Sequence, residues 1–338
     1  MYLEKKILAY LPQVYTVNFF YIEGKAFIGA GSEGAHPLFL IELENLRKIK
    51  IADGPGGTMG LAPILINNTD LVSIMGLFPP FIGGDAGVYI HSFREGSWCS
   101  NKIISLPFAH RCEIFENNGT YYLFISSVSR FKENPEDWVN PGELYVVPLN
   151  DVNNIDGLPD PLIKHVFRNH GMIKTNIDGN ETICISGSEG ILAIYPDQKS
   201  CWRVEKIFDK EVSEFAFFDI DNDGVNELIT IEPFHGNSLN IYNKAVTGWS
   251  HCYQSELSFG HGLSVGLFNK IPSIVAGNRR GDRALNLFTV HGPGKSSITK
   301  SIIEENAGPT QTKIFNYNSK DYILSSNQAK NEIAIYSI

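Results

Sequence analysis

No stretch of about 18 consecutive apolar residues occurs in this sequence, so it offers no membrane-spanning helix. Positive charge is scarce as well: 28 Lys and Arg stand against 37 Asp and Glu, leaving a net charge of −9. Such a chain lacks the basic footprint that grips phosphate backbones, which excludes non-specific nucleic-acid binding. The N-terminus, Met1 to Ile7, has neither the apolar core nor the small-residue cleavage site of a secretory signal, and a cytoplasmic protein is expected. Cysteine usage points the same way. Cys99, Cys112, Cys184, Cys201 and Cys252 are odd in number, scattered and without C-x-x-C spacing. That argues against a disulfide framework or a cysteine-only zinc site and for reduced thiols in strands. A nucleophile elbow, a P-loop and a dinucleotide fingerprint are also missing. Gly54-Pro55-Gly56-Gly57 matches a phosphate loop only in glycine content, and without a following helix it reads as a turn.

What the chain does have is a repeat. An apolar strand leads through a polar turn to a second apolar strand, then through a loop with Gly or Asn to a third. The third copy reads HRCEIFEN from His110, TYYLFISS from Thr120 and GELYVVPL from Gly142; the seventh reads TQTKIFNY from Thr310, DYILSSNQ from Asp321 and NEIAIYSI from Asn331. A fourth strand follows, as in SWCSNKIISL from Ser97, CWRVEKIF from Cys201 and GWSHCYQSEL from Gly248. Trp98, Trp202 and Trp249 recur near its start and read as packing residues. Copies begin near residues 15, 58, 110, 170, 214, 261 and 310, a period of roughly 44–60 that suits four strands per unit. The last copy lacks a fourth strand, which the segment Tyr2–Leu11 can supply. The expectation is therefore an all-β chain, one domain over residues 1–338: a seven-bladed β-propeller of four-stranded blades, closed by its N-terminal strand.

In such blades the innermost strand lines a channel, and the loop entering it shares a face with the loop between strands two and three. The first positions of the inner strands are Tyr15, Thr58, His110, His170, Glu214, His261 and Thr310 with Gln311. Three of nine histidines fall in one register, with a tyrosine and a carboxylate, which marks His110, His170, His261, Tyr15 and Glu214 as catalytic candidates. The neighbouring loops add Arg130, Lys132, Trp138, His235, Asn278, Arg279 and Arg280, and Phe78-Pro79-Pro80-Phe81. Guanidinium forks bind carboxylates and aromatic faces stack on sugar rings, so these are the expected substrate-binding residues for a small sugar or oligosaccharide.

The sharpest local motif is Asp219-Ile220-Asp221-Asn222-Asp223-Gly224-Val225-Asn226-Glu227. Alternating carboxylates before a glycine can wrap one hard cation. The spacing starts like an EF-hand, but the loop joins two strands and its twelfth position is Thr230. It resembles the loop of the FG-GAP or VCBS propeller repeat. That resemblance implies calcium or magnesium in a structural role, held by Asp219, Asp221, Asp223 and Glu227 with the Val225 carbonyl. Asn176 to Glu181 looks like a weaker copy. The repeat style also resembles the propeller of aldos-2-ulose dehydratase and related sugar lyases, which implies a lyase or dehydratase.

Elimination from a keto-sugar or uronate needs a base for the proton alpha to the carbonyl, stabilisation of the enolate and an acid for the leaving hydroxyl. His110, His170 and His261 either hold a transition metal such as zinc, which polarises the carbonyl, or include the base; Tyr15 or Glu214 serves as acid or base. The expected function is thus a carbohydrate-active lyase, dehydratase or isomerase. A non-catalytic propeller that binds a carbohydrate or a protein is the alternative, and an exported polysaccharide lyase a further one.

Overall fold

The computed structural model describes residues 3–64, 69–79, 82–149, 157–197, 201–291 and 297–338. Pro80 and Phe81 lie outside them. The fold is a seven-bladed β-propeller: seven four-stranded sheets of antiparallel strands, with no α-helix among the described residues. No described helix is long and apolar enough to cross a membrane.

Two compact units emerge, one of Asn18–Asp209, the other of Met1–Val17 with Lys210–Ile338. The strand β2 (Val14–Ile22) runs from the second unit into the first. Blade one continues with β3 (Lys25–Ser32), β4 (Leu38–Glu42) and β5 (Lys48–Ala52). Blade two has β6 (Gly60–Pro63), β7 (Leu71–Met75), β8 (Gly87–Arg94) and β9 (Ser97–Ser105). Blade three has β10 (Ala109–Asn117), β11 (Thr120–Ser127), β12 (Gly142–Pro148) and β13 (Ile163–Val166). Blade four has β14 (Met172–Ile177), β15 (Asn180–Gly187), β16 (Gly190–Pro196) and β17 (Trp202–Phe208). This unit packs on Phe20, Phe27, Leu38, Leu40, Leu61 and Leu71 at one place and on Phe115, Phe124, Leu144, Ile183 and Ile185 at another. Trp202 meets Phe115, Tyr122 and Phe124 edge-on, with centroids 5.6, 5.1 and 4.9 Å away, so it is a packing residue.

The other unit holds blade five, with β18 (Glu214–Phe218), β19 (Glu227–Glu232), β20 (Ser238–Lys244) and β21 (Trp249–Glu256). Blade six has β22 (Gly260–Phe268), β23 (Ile271–Asn278), β24 (Leu285–His291) and β25 (Ser297–Glu304). Blade seven has β26 (Pro309–Tyr317), β27 (Lys320–Asn327) and β28 (Glu332–Ser337), and its fourth strand is β1 (Glu4–Tyr10). Glu4 pairs with Ser337 and Tyr10 with Glu332. The chain's first strand therefore completes its last sheet. An ionic knot ties it there: Glu304 accepts Lys5 Nζ at 2.6 Å and also the Lys330 ammonium and the Tyr336 hydroxyl, while Lys5 reaches Glu332 at 2.5 Å.

Sequence patterning explains these layers. Second strands such as β7 and β23 are covered on both faces and read as continuous apolar runs. Outer strands such as β21 and β25 are mostly exposed and polar. Between the first and second strands, five blades make a two-residue turn with positive φ at both positions: Glu23-Gly24, Asn118-Gly119, Asp178-Gly179, Asn269-Lys270 and Asn318-Ser319. Such turns match the twist of a hairpin. Asn176 to Glu181, expected as a weaker copy of the acidic loop, is one of these hairpins, with Asn176 Oδ1 accepting Gly179 N at 2.8 Å. Among the described residues, blade five has the acidic loop in place of the hairpin turn. A close approach fixes Gly190: at φ +103 its added Cβ would stand 1.9 Å from the Phe208 carbonyl oxygen.

Candidate functional site

In the unit of Met1–Val17 and Lys210–Ile338, three first positions close a ring of hydrogen bonds. His261 Nδ1 stands 2.6 Å from the Thr310 carbonyl oxygen. A carbonyl only accepts, so Nδ1 carries a proton, and in the neutral imidazole Nε2 keeps its lone pair. That lone pair faces the Tyr15 hydroxyl at 3.3 Å. Thr310 Oγ1 in turn donates to the Tyr15 carbonyl oxygen at 2.8 Å. Tyr15, His261 and Thr310 are all buried. A bulge between His261 and Leu263 interrupts the pairing of β22 with β23 beside this ring.

Around the ring stand aromatic and cationic groups. His235 lies between Phe234 and Phe259, 4.0 and 4.6 Å by ring centroid, and 5.2 Å from His261. Arg279 presents its guanidinium 5.6 Å over the Tyr15 ring. Its Nε and Nη2 donate to Gln328 Oε1 at 3.2 and 2.9 Å, and Gln328 Nε2 donates to the Val14 carbonyl at 3.3 Å. Arg280 stacks at 4.3 Å over Phe259. Asn278, expected to bind substrate, ties two loops together: its Oδ1 accepts Ser258 N at 3.0 Å and its Nδ2 donates to Asp282 Oδ1 at 2.7 Å. Glu214 is half-buried at the start of β18, opposite Ile231.

In the unit of Asn18–Asp209, His110 and His170 come together. Their rings lie 4.6 Å apart at 38°. Both are buried, 3% and 2% exposed. A bulge between Ala109 and Arg111 resets β10 at this point, and Arg111 Nη1 donates to the Met59 carbonyl at 2.9 Å. Asn169, immediately before His170, is fully buried, and neither side-chain atom has a hydrogen-bond partner among the described residues. Sequence reasoning missed it. The available signal was positional: the matching residues of the other blades are Val14, Gly57, Ala109, Ser213, Gly260 and Pro309, all small or apolar, and only blade four puts an amide there. Arg130 turns to the start of β12, and Lys132 and Trp138 to each other within their loop. Arg130 approaches Glu143 at 3.8 Å, and the Lys132 ammonium lies 3.2 Å over the Trp138 ring. Burial pushes Lys132 down to about 8, against the pull of Asp137 and Glu136.

The acidic loop of blade five gathers three carboxylates. Asp219, Asp221 and Glu227 each offer an oxygen within 4.8 Å of the others. Asp223 is not in this group; its Oδ1 accepts Val225 N at 2.8 Å. Asp219 caps the N–H groups of Asp223 and Gly224 at 3.1 and 2.9 Å, and buried Glu227 accepts Ile220 N at 2.9 Å. An all-oxygen donor set of this kind fits calcium or magnesium.

Comparison with known proteins shows the fold. A candidate 6-phosphogluconolactonase from Bacteroides fragilis superposes with TM-score 0.59 at 12% identity, over 96% of this chain and 90% of that one. One from Bacteroides uniformis gives 0.58 at 12%, over 92% and 87%. The Dos1 propeller gives 0.56 at 11%, over 96% and 78%. No protein-family description matches the sequence. No curated protein matches it either. At 11–12% identity these likenesses show the fold alone.

Proposed function

We propose that this protein is a carbohydrate-active enzyme that removes a proton alpha to the carbonyl of a keto-sugar or uronate, as a lyase, dehydratase or isomerase. One observation carries the reading: the Thr310 carbonyl fixes His261 as the Nδ1–H tautomer and aims Nε2 at Tyr15 Oη. In an elimination the Tyr15 oxygen takes the alpha proton while its own proton passes to His261 Nε2. The imidazolium then gives that proton to the departing hydroxyl. Water leaves, a carbon–carbon double bond forms and both side chains return to their starting state. Arg279, held over Tyr15 by Gln328, supplies positive charge for the enolate and the substrate carboxylate. His235 and Arg280 are the further substrate contacts.

A second reading is lactone hydrolysis, in which the same pair activates water. The two neighbours named as candidate 6-phosphogluconolactonases favour it. His110 and His170 have the donor chemistry for a divalent transition metal such as zinc, and the blade-five carboxylates that of an FG-GAP-type structural cation.

The test is turnover of a panel of keto-sugars, uronates and sugar-acid lactones, followed by absorbance of the unsaturated product and by acid release. Tyr15→Phe and His261→Gln are expected to lower kcat by about 10²–10⁴-fold, with ligand binding retained. Ligand binding without turnover by the wild type replaces the enzyme reading with a sugar-binding propeller. Turnover unaffected by both substitutions removes the Tyr15–His261 mechanism.

A further inference from the structure

The loop between β11 and β12 is the longest of its kind, and it is self-supporting. Ser129 Oγ meets the carbonyls of Phe131 and Asn140 at 2.8 and 2.9 Å. The Asp137 carboxylate accepts Glu133 N at 3.0 Å and Val139 N at 3.1 Å, which hold its carboxyl below the usual range. Asn134 Oδ1 accepts Glu136 N at 3.1 Å. From inside, Lys132 donates to the Asp137 carbonyl and lies over Trp138, whose ring also meets Arg168 at 5.8 Å. A loop with this many internal ties is a shaped surface.

That shape is a hollow of about 440 Å³. Two apolar side chains stand exposed in its wall, Phe131 at 54% and Val139 at 77%. Around them are Glu133, Glu136, Asn134 and Asn140. Glu133 and Glu136 are exposed, and Glu136 pulls on the Lys132 ammonium below it. The one lysine of the loop is drawn inward to Trp138, so the hollow's own charge is negative.

We propose that this hollow docks an arginine-bearing segment of a partner protein. The occupant follows from the wall chemistry. A guanidinium is planar, forks onto a carboxylate through two N–H groups and stacks on an aromatic face; Glu133 or Glu136 meets the first need and Phe131 the second. Val139 covers the aliphatic stem. Lysine offers a point charge that neither forks nor stacks, and binds more weakly here. A second copy of this chain, at net charge −9, brings like charge and is disfavoured. The surface lies in the Asn18–Asp209 unit and does not depend on the Tyr15–His261 reading.

Fluorescence anisotropy with a labelled pentapeptide, acetyl-Gly-Leu-Arg-Leu-Gly-amide, tests the proposal on the full chain. Saturable binding is expected, weakened at least tenfold by Glu133→Gln with Glu136→Gln and at least fivefold by Phe131→Ser. All three positions are exposed, so the variants keep the wild-type fold, which circular dichroism checks. The charge-matched control Glu44→Gln with Glu95→Gln binds as wild type, and raised salt weakens binding. Absence of binding below 1 mM, equal binding of the Arg→Glu peptide, or equal loss in the control pair overturns the proposal. Arg→Lys binding as tightly as Arg overturns its commitment to a guanidinium.

Discussion

His91 on β8 makes the stability of the Asn18–Asp209 unit depend on pH. Its ring is fully buried. Ser100 Oγ donates to the Ile51 carbonyl at 2.9 Å, so toward His91 it can only accept, and Nδ1, at 2.7 Å, carries the proton. Nε2 then accepts from Ser73 Oγ at 2.8 Å. The chain of bonds has no place for a second proton. Burial accordingly lowers His91 from 6.5 to about 4. As pH falls, the unfolded chain takes up this proton before the folded one does. The contribution is therefore complete above about pH 6.5 and is lost between there and pH 4. At about 1.4 kcal/mol per pH unit it amounts to about 3.5 kcal/mol in full and about 2.5 kcal/mol by pH 4.5.

The assay is urea unfolding followed by far-ultraviolet circular dichroism at pH 7.5, 6.5, 5.5 and 4.5, on wild type and His91→Gln. Titration of surface carboxylates is common to both proteins and cancels in the difference. The stability advantage of the wild type should shrink by about 2.5 kcal/mol between pH 7.5 and pH 4.5. Parallel profiles for the two proteins would refute the neutral, doubly bonded imidazole.

Three further outcomes follow from single contacts. Cys99, Cys201 and Cys252 are exposed and should react with Ellman's reagent in the native state, whereas Cys112 and Cys184, whose thiols burial pushes up, should react only on unfolding. Glu304→Gln should cost about 2 kcal/mol, less than a fully buried pair because Lys5 and Lys330 are about a third exposed, and hydrogen exchange should quicken along β1 first. Calcium or magnesium at about 100 times its Kd should stabilise the wild type by about 2.7 kcal/mol in thermal melts and leave Asp221→Asn unshifted.

The blade period was legible because propeller strands differ by layer: continuous apolar runs mark covered strands and polar alternation marks outer ones. The closing strand was legible because the last copy lacked its fourth strand. The meeting of His110 with His170 follows from equal placement in neighbouring repeats; Tyr15 and His261 share that placement in the repeats on either side of blade seven, whose Thr310 bonds to both. What the pattern did not carry were breaks in it. The bulges at Ala109/Arg111 and His261/Leu263 insert a residue where strict alternation has none, so side-chain direction after them could not be read. Nor does residue type tell whether a polar group faces a ligand or its own loop. Asn278 and Lys132 read as ligand contacts by position, and the contacts the structure gives them are with Asp282 and Trp138. Asn169 was hidden for a related reason: its lack of a partner is visible only once burial is known.

The hydrogen-bond ring of His261, Thr310 and Tyr15 makes a last prediction, because its members do different work. Thr310 touches the pair twice, through its carbonyl to His261 and its hydroxyl to the Tyr15 carbonyl. Thr310→Val removes only the hydroxyl. Ser326 Oγ still donates to the Tyr15 carbonyl at 3.1 Å, so that oxygen does not become an unsatisfied buried acceptor. The stability cost should therefore be about 1 kcal/mol and not the larger penalty of an orphaned group. Its functional effect should be larger than that, because the hydroxyl fixes the backbone from which Tyr15 reaches His261. Thr310→Ser keeps the donor and should restore both properties. A Thr310→Val protein with wild-type turnover on whichever sugar the wild type accepts would show that Tyr15 is placed by packing alone, and that the ring serves the fold and not the chemistry.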